Sequence, residues 1–366
     1  MRVLQVLPSL NSGGVERGTL DLARELVRRG EQSVVMSSGG RMVPQLVAEG
    51  SRHLEFPVHA KSPKSLWRVK GLRRQLAELA PDIIHVRSRI PAWMVWLAVG
   101  RQPRGQRPAL VSTFHGLYSV SRYSAIMGCG DRVIAISRTV RDYICANYPQ
   151  VDPQKITIIH RGVDTSHFNR DHTPDAHWRQ GFFGEYPQLD GKPLLVMPGR
   201  LSRWKGQIEF IDLVAALRGQ GVPCHGLIVG EPTPGKEPYL QELRALVRER
   251  GLDGDLTFLG HRDDMDNIYA ISRVVFNLSQ DPEPFGRTVI EALAMGVPVV
   301  AWDAGGPAES LQACLPAGLV PAGDGAALAD TALRMLQSPP EISLPYQFTL
   351  AAQVEATLAV YREVLA

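Results

Sequence analysis

A chain of 366 residues with 44% hydrophobic and 21% charged positions is too apolar for a disordered segment and too polar for an integral membrane protein. Its length predicts two domains, because one core rarely grows beyond about 250–300 residues. The net charge of +3 conceals an asymmetry: residues 1–170 hold 25 Lys+Arg against 12 Asp+Glu, a balance of +13, and the remainder holds 15 against 25, a balance of −10.

In chain order, "MRVLQVLP" reads as a strand, with too little basic and small-residue patterning for a secretory signal. "SLNSGG" is turn chemistry. "VERGTLDLARELVRRG" then places Leu20, Ala23, Leu26 and Val27 at helical spacing and stops at Gly30, before the strand "QSVVMSS". The stretch "HAKSPKSLWRVKGLRRQL" sets Lys61, Lys64, Arg68, Lys70, Arg73 and Arg74 around Trp67. That pattern suits an anionic membrane interface, or equally the solvated face of a Rossmann helix. "DIIHVRS" is a strand ending at Arg87, with Arg89 next. "IPAWMVWLAVG", the longest apolar run, falls far short of the ~20 residues a membrane span needs, so Trp93 and Trp96 are expected in the core. Strands "ALVSTFHG" and "RVIAIS" follow, and the polar segment 169–192 is the expected linker. Beyond it come "PLLVMPG", a loop "RLSRWKG", the helix "QIEFIDLVAALRGQG", and the strands "CHGLIVG", "LTFLG", "VVFNLS" and "VPVVAW". An amphipathic helix closes the chain. Cys129, Cys145, Cys224 and Cys314 lack metal-ligand spacing, so reduced thiols are expected and a structural zinc is not.

Each half thus opens strand, loop, helix, strand, which predicts an α/β protein of two Rossmann-like domains with parallel sheets. Ligands of such sheets sit beyond the carboxyl ends of the strands, where the loops carry Gly14, Arg87, Arg89, His115, Arg200, Lys205 and Glu283. No GxGxxG or GxxxxGK[ST] fingerprint occurs. Anion binding then falls to the amides that start a helix at "FGRTVIEAL" and to the loop cations Arg200 and Lys205. Each has a plain alternative. Arg200 and Lys205 can be solvated charges, Glu291 an i,i+4 partner of Arg287, Glu283 a helix-dipole partner, and His115 a hydrogen-bonded turn residue. "DDMD" at 263–266 has the spacing of metal-dependent transferases of another fold, but its place before "NIYAISRVVF" makes it a charged helix cap.

Taken together, "GRLSRWKG", "EPFGRTVIEALAMGVPVVAWDAGG", "GGVERGTLDLARELVRRG", "STFHG" and "RGVD" resemble the family-4 retaining glycosyltransferases of the GT-B fold, nearly end to end. The element with seven residues between Glu283 and Glu291 is the most specific part. The resemblance implies two domains facing across a cleft: residues 1–170 on the acceptor side, with the helix at 350–366 returning to them, and residues 171–349 holding a nucleotide sugar. It implies that Arg200 and Lys205 neutralise the donor diphosphate, aided by backbone at Gly286, Arg287 and Thr288 and by Gly14. Glu291 would hold the ribose, Glu283 the donor sugar, Phe285 would give backbone contacts, Leu259 would meet the base, and His115 would lie at the reacting centre. Arg87, Arg89 and Arg161 would be acceptor-side. The family commonly has Asn where this chain has Arg161.

In such retaining enzymes the leaving phosphate accepts the proton of the acceptor hydroxyl, so no separate base, metal or cofactor is expected. The expected activity is transfer from a nucleotide-diphosphate sugar, UDP-linked first, to a lipid-linked or glycan acceptor such as lipopolysaccharide core. The expected place is the cytoplasm, peripheral on the inner face of the membrane, with no nucleic-acid partner, since no recognition module accompanies the basic charge. Two alternatives remain open: a transferase for a soluble sugar or sugar phosphate, and a non-catalytic sugar-nucleotide-binding partner in a glycan assembly complex.

Overall fold

The computed structural model describes residues 1–11, 13–58 and 65–366, with the side chains of 65–67 left out; Lys61, Lys64 and the Trp67 side chain lie outside the described residues. The chain divides into two compact units, Met1–Arg161 with Leu350–Ala366, and Gly162–Thr349.

The first unit contains β1 (Arg2–Val6), α1 (Gly14–Arg28), β2 (Gln32–Ser37), α2 (Val43–Ala48), β3 (Arg52–Glu55), α3 (Ser65–Leu79), β4 (Ile83–Val86) and α4 (Arg89–Val95). It continues through β5 (Ala109–Phe114), β6 (Arg132–Ala135), α5 (Arg138–Asn147) and β7 (Ile156–Ile158). Its seven strands are ordered β3-β2-β1-β4-β5-β6-β7, and every pairing is parallel. Strands β1, β4 and β5 are buried along nearly their whole length, which is why they read as unbroken apolar runs rather than alternating ones.

The second unit runs α6 (Ala176–Glu185), β8 (Leu194–Pro198), α7 (Gln207–Gly219), β9 (His225–Val229), α8 (Glu237–Glu249), β10 (Leu256–Gly260) and α9 (Met265–Ala270). Then follow β11 (Ser272–Asn277), α10 (Arg287–Ala294), β12 (Val299–Trp302), α11 (Gly305–Cys314), β13 (Leu319–Val320) and α12 (Gly325–Gln337). Its six strands, ordered β10-β9-β8-β11-β12-β13, are also all parallel. In both sheets the strand order reverses direction once, between β1 and β4 and between β8 and β11. Side chains just past the carboxyl ends of those strand pairs are where this architecture exposes converging loops.

Several elements differ from the sequence reading. The expected linker contains α6, whose N-cap Asp175 accepts from the Trp178 amide at 2.7 Å. Trp178 stacks on buried Phe182 with centroids 4.8 Å apart, so an aromatic face holds a segment that looked merely polar. Trp93 and Trp96 are half-buried rather than core; they meet edge-on at 5.8 Å, with Arg101 4.9 Å over Trp96. Asp264 precedes α9 without capping it, because its carboxylate is held by Arg262 and by Trp178 Nε1 at 2.7 Å. On α3, Lys70, Arg73 and Arg74 are exposed while Leu72, Leu76 and Leu79 are buried.

The last helix, α13 (Leu350–Leu365), belongs to the first unit. Its Val354, Leu358, Tyr361 and Val364 share a core cluster with Val3, Ile83, Val111 and Ile134. Leu358 is 1% exposed, so Leu358→Ala should destabilise this unit by about 2–5 kcal/mol, read from denaturant unfolding. A change within a few tenths would mean that α13 is not part of that core.

Candidate active site

The second unit builds its site from the two loops that leave β8 and β11, neighbouring strands at the point where strand order reverses. The loop after β8 makes a short 3₁₀ turn at Arg203–Lys205. The Trp204 carbonyl accepts the Gln280 amide at 2.8 Å, which docks this turn onto the loop after β11. That second loop is held from the other side: Trp302 Nε1 on β12 donates to Leu278 O at 3.0 Å, and the Gly306 amide donates to Glu283 O at 2.8 Å.

The result is one convergence. Lys205 Nζ lies 2.5 Å from Glu283 Oε1, and the same oxygen accepts from Asn277 Nδ2 at 3.1 Å and from Ser279 Oγ. Side-chain exposures of 20% for Lys205 and 9% for Glu283 make this a partly buried pair, less screened than a surface one. Lys205 also sits 4.4 Å from the Trp204 ring centroid. An ammonium has three donors, so the contact with Glu283 leaves others for a ligand oxygen. Arg200, at the exit of β8, is exposed, and among the described residues its guanidinium has no ion pair. Chemically this is a fixed lysine beside a fixed carboxylate, with a spare cation on the same loop.

Gly286 caps α10 in the left-handed region at φ 79°, and an added Cβ would lie 2.7 Å from Pro307 Cγ. The glycine is therefore demanded by packing as well as by any ligand approach. Thr288 stands in the first turn of α10, where helix geometry leaves amide donors without intrahelical acceptors. Phe285 is buried and tilts against Phe348 at 6.4 Å, leaving only its backbone for a site role. Glu291 forms the i,i+4 pair with Arg287, 2.8 Å from its Nε, and accepts from Tyr269 OH at 3.3 Å. Burial, and next the charge of Glu291, push the Tyr269 phenol well above its usual range. Leu259 is buried on β10, and a register shift between Phe258 and Gly260 takes it out of the ladder with β9.

In the first unit the loops after β1, β5 and β7 meet. Arg161 Nη1 donates to Gly14 O at 2.8 Å, and Arg161 Nη2 lies 2.9 Å from His115 Nδ1. His115 is half-buried, with its Nε2 atom buried and without a hydrogen-bond partner among the described residues. Arg87 is no surface cation: it is 4% exposed, donates to Gln5 Oε1 at 2.8 Å, and burial lowers its pKa to about 10 against the opposing pull of Tyr361, Asp21, Glu16 and Tyr118. Arg89 lies 4.7 Å over Tyr118 and donates to Ser124 Oγ at 3.2 Å.

Asn277, Ser279, Tyr269, Trp204 and Gln5 were not singled out by sequence. The signal was present for two of them: Asn277 and Ser279 are polar residues at the end of an apolar strand run, directly before the acidic motif.

A buried and a half-buried histidine give the first unit a pH dependence. His85 is 1% exposed between Tyr361 OH and Thr113 Oγ1, each at 2.6 Å, and burial, then Arg87, depress its pKa well below 6.5. His115 is depressed well below 6.5 by burial, then Arg161, Arg87 and His85. Below pH 6.5 the unfolded chain binds protons that the folded one refuses, so stability present above that pH is lost on acidification. The slope should reach about 1.4 kcal/mol per pH unit per histidine. Denaturant midpoints at pH 7.5 and 5.5 test it, and a flat result contradicts it.

The whole chain matches known proteins. Residues 12–167 match the family described as Glycosyltransferase Family 4, and residues 180–351 match Glycosyl transferases group 1. An N-acetyl-alpha-D-glucosaminyl L-malate synthase of Bacillus anthracis is 26% identical, covering 90% of this chain and 86% of its own. A lipopolysaccharide core biosynthesis mannosyltransferase of Rhizobium leguminosarum bv. viciae is 30% identical, covering 57% of this chain and 56% of its own. The crystal structure of a glycosyltransferase from Rickettsia africae ESF-5 superposes with a TM-score of 0.84 at 28% identity, covering 100% of this chain and 98% of that one. With two doubly wound parallel sheets, a family match on each half and a structural likeness spanning both, the chain belongs to the family-4 glycosyltransferases of the GT-B fold.

Proposed function

We propose that the protein is a retaining, metal-independent glycosyltransferase that moves a sugar from a nucleotide-diphosphate donor to a lipid-linked or glycan acceptor of the bacterial surface, with lipopolysaccharide core first. The observation that carries the donor side is the convergence of Lys205, Glu283, Asn277 and Ser279 where β8 and β11 end, with Arg200 on the same loop. Breaking a sugar–phosphate bond puts negative charge on the departing diphosphate. Lys205, Arg200 and the amides of Gly286, Arg287 and Thr288 stabilise it, and this electrostatic contribution is commonly the largest in such reactions. These groups take the part a metal plays elsewhere, so EDTA leaves turnover unchanged. Glu283 orients the donor sugar, Glu291 the ribose, and the Leu259 backbone the base, with uridine first in order of trial.

On the acceptor side the reading keeps Arg89 and Arg161 of the first unit, Arg87 being buried against Gln5, and the exposed Lys70, Arg73 and Arg74 of α3 meet an anionic membrane surface. Among the described residues no helix is long and apolar enough to cross a membrane. The mannosyltransferase relative supports the lipopolysaccharide acceptor. The N-acetyl-alpha-D-glucosaminyl L-malate synthase relative, which matches more of the chain, favours a second reading in which the acceptor is a small soluble anion.

A thermal-shift panel of UDP-, GDP-, ADP- and dTDP-sugars, followed by transfer to isolated lipid-linked acceptors and to soluble sugars, sugar phosphates and hydroxy acids, separates these. UDP-sugar stabilisation with transfer to lipid-linked acceptors is the expected result. Activity confined to soluble acceptors replaces the first reading with the second, and no transfer with any pair overturns both.

A further inference from the structure

We propose that Arg161 is a positioning residue that holds His115 as the neutral, Nε2-protonated tautomer and ties it to the first turn of α1. A guanidinium carries only donors, so the 2.9 Å contact between Arg161 Nη2 and His115 Nδ1 requires Nδ1 to accept. A proton on Nδ1 would set two donors against each other. The neutral ring then carries its hydrogen on Nε2, the buried atom that has no partner among the described residues. The other nitrogen of the same guanidinium donates to Gly14 O at 2.8 Å, so ring orientation and helix start share one anchor. An added Cβ on Gly14 would lie 2.7 Å from Arg161 Nη1, so a side chain there would push the guanidinium aside and disturb this anchor.

The surroundings keep the ring uncharged. The charged and titratable groups facing it are Arg161 from the loop after β7, Arg87 from the loop after β4, His85 on β4, and the Tyr118 hydroxyl, which accepts the His115 amide at 3.3 Å. Glu16 and Asp21 act on Arg87 instead. Two cations and burial disfavour imidazolium, and they set the same direction as the geometry. In this tautomer Nε2 is a donor and not a base, so a substrate oxygen brought to it would accept its hydrogen bond and give it no proton. The kinetic part of this inference rests on the glycosyltransferase reading; the tautomer does not.

The test uses full-length protein labelled with ¹⁵N-histidine, with His115 resonances identified by their loss in His115→Gln. Two-bond nitrogen–proton spectra are expected to show Nδ1 bare and Nε2 protonated, without titration between pH 5.5 and 8. In Arg161→Ala the ring should exchange tautomers and titrate, and kcat should fall about 10²-fold with an acid limb appearing in its pH profile, while donor KM moves little. Arg161→Lys should restore the tautomer in part, because an ammonium can still donate to Nδ1. A wild-type His115 that is protonated on Nδ1, or that titrates near pH 6.5, overturns the proposal, as does a tautomer unchanged in both variants. If the spectra behave as expected and no donor–acceptor pair gives transfer, the positioning stands and the proposed function fails.

Discussion

Lys205→Ala is expected to lower transfer about 10²–10³-fold, the usual cost of removing one preorganised donor from a developing anion. The geometry adds a complication that the experiment has to separate. Lys205 is the ion-pair partner of Glu283 at 2.5 Å, so the substitution also leaves a carboxylate of 9% side-chain exposure without its cation. Asn277 and Ser279 still donate to Glu283 Oε1, which limits the stability loss to about 1–3 kcal/mol. Glu283→Gln keeps an oxygen for all three donors and removes the charge, so it should spare the fold. Comparison of single and double variants then decides the role. If the pair acts on substrate as a unit, Lys205→Ala combined with Glu283→Gln will be no slower than the worse single variant. If the pair only stabilises unit structure, melting will drop in Lys205→Ala while turnover per folded molecule stays near wild type, and the site assignment is lost.

Much of the sheet architecture was legible because strands buried on both faces appear as short apolar runs. "LLVMP", "VVFN" and "VVAW" are such runs, and they became β8, β11 and β12. Of the four edge strands only β10, "LTFLG", carries that signal. β3 reads "RHLE" with a half-exposed pattern, and β7 and β13 span three and two residues, so nothing in their composition separates them from loops. The site followed the same division. Local features, such as a lysine in a strand-exit loop and a glutamate before a helix, can be seen in a string. Pairings cannot: Lys205 and Glu283 are 78 residues apart, and Arg161 and His115 are 46 apart. Burial is equally hidden. "RSR" presents Arg87 and Arg89 as equivalent strand-end cations, yet the position directly after β4 buries the first against Gln5 while the second lies over Tyr118. The alternatives weighed for Glu291 fared differently again. Its i,i+4 pair with Arg287 forms, so a ribose contact would have to be made by a carboxylate already oriented by Arg287 and Tyr269.

Arg200→Ala is the cleaner test of the donor site because the fold makes so little use of that side chain. Its guanidinium is exposed and has no ion pair among the described residues; only its backbone oxygen is engaged, accepting Gln207 Nε2 at 3.1 Å. Loss of an exposed side chain usually changes stability by no more than about 0.5 kcal/mol. Loss of a charge-assisted hydrogen bond to phosphate costs about 1.5–3 kcal/mol, or roughly 10–10²-fold. Lys205 is paired with Glu283 and Arg203 with Glu242, so Arg200 is the cation of the β8 exit loop without an ion pair among the described residues, and its removal should be felt most as the diphosphate departs. The loss should therefore fall on kcat as well as on donor KM. Arg200→Lys keeps the charge without the planar fork and should recover part of the rate. Equal melting temperatures with a 10–10²-fold loss of kcat/KM would tie the β8 exit loop to the leaving group, whereas wild-type kinetics in Arg200→Ala would make it the solvated charge that sequence alone could not rule out.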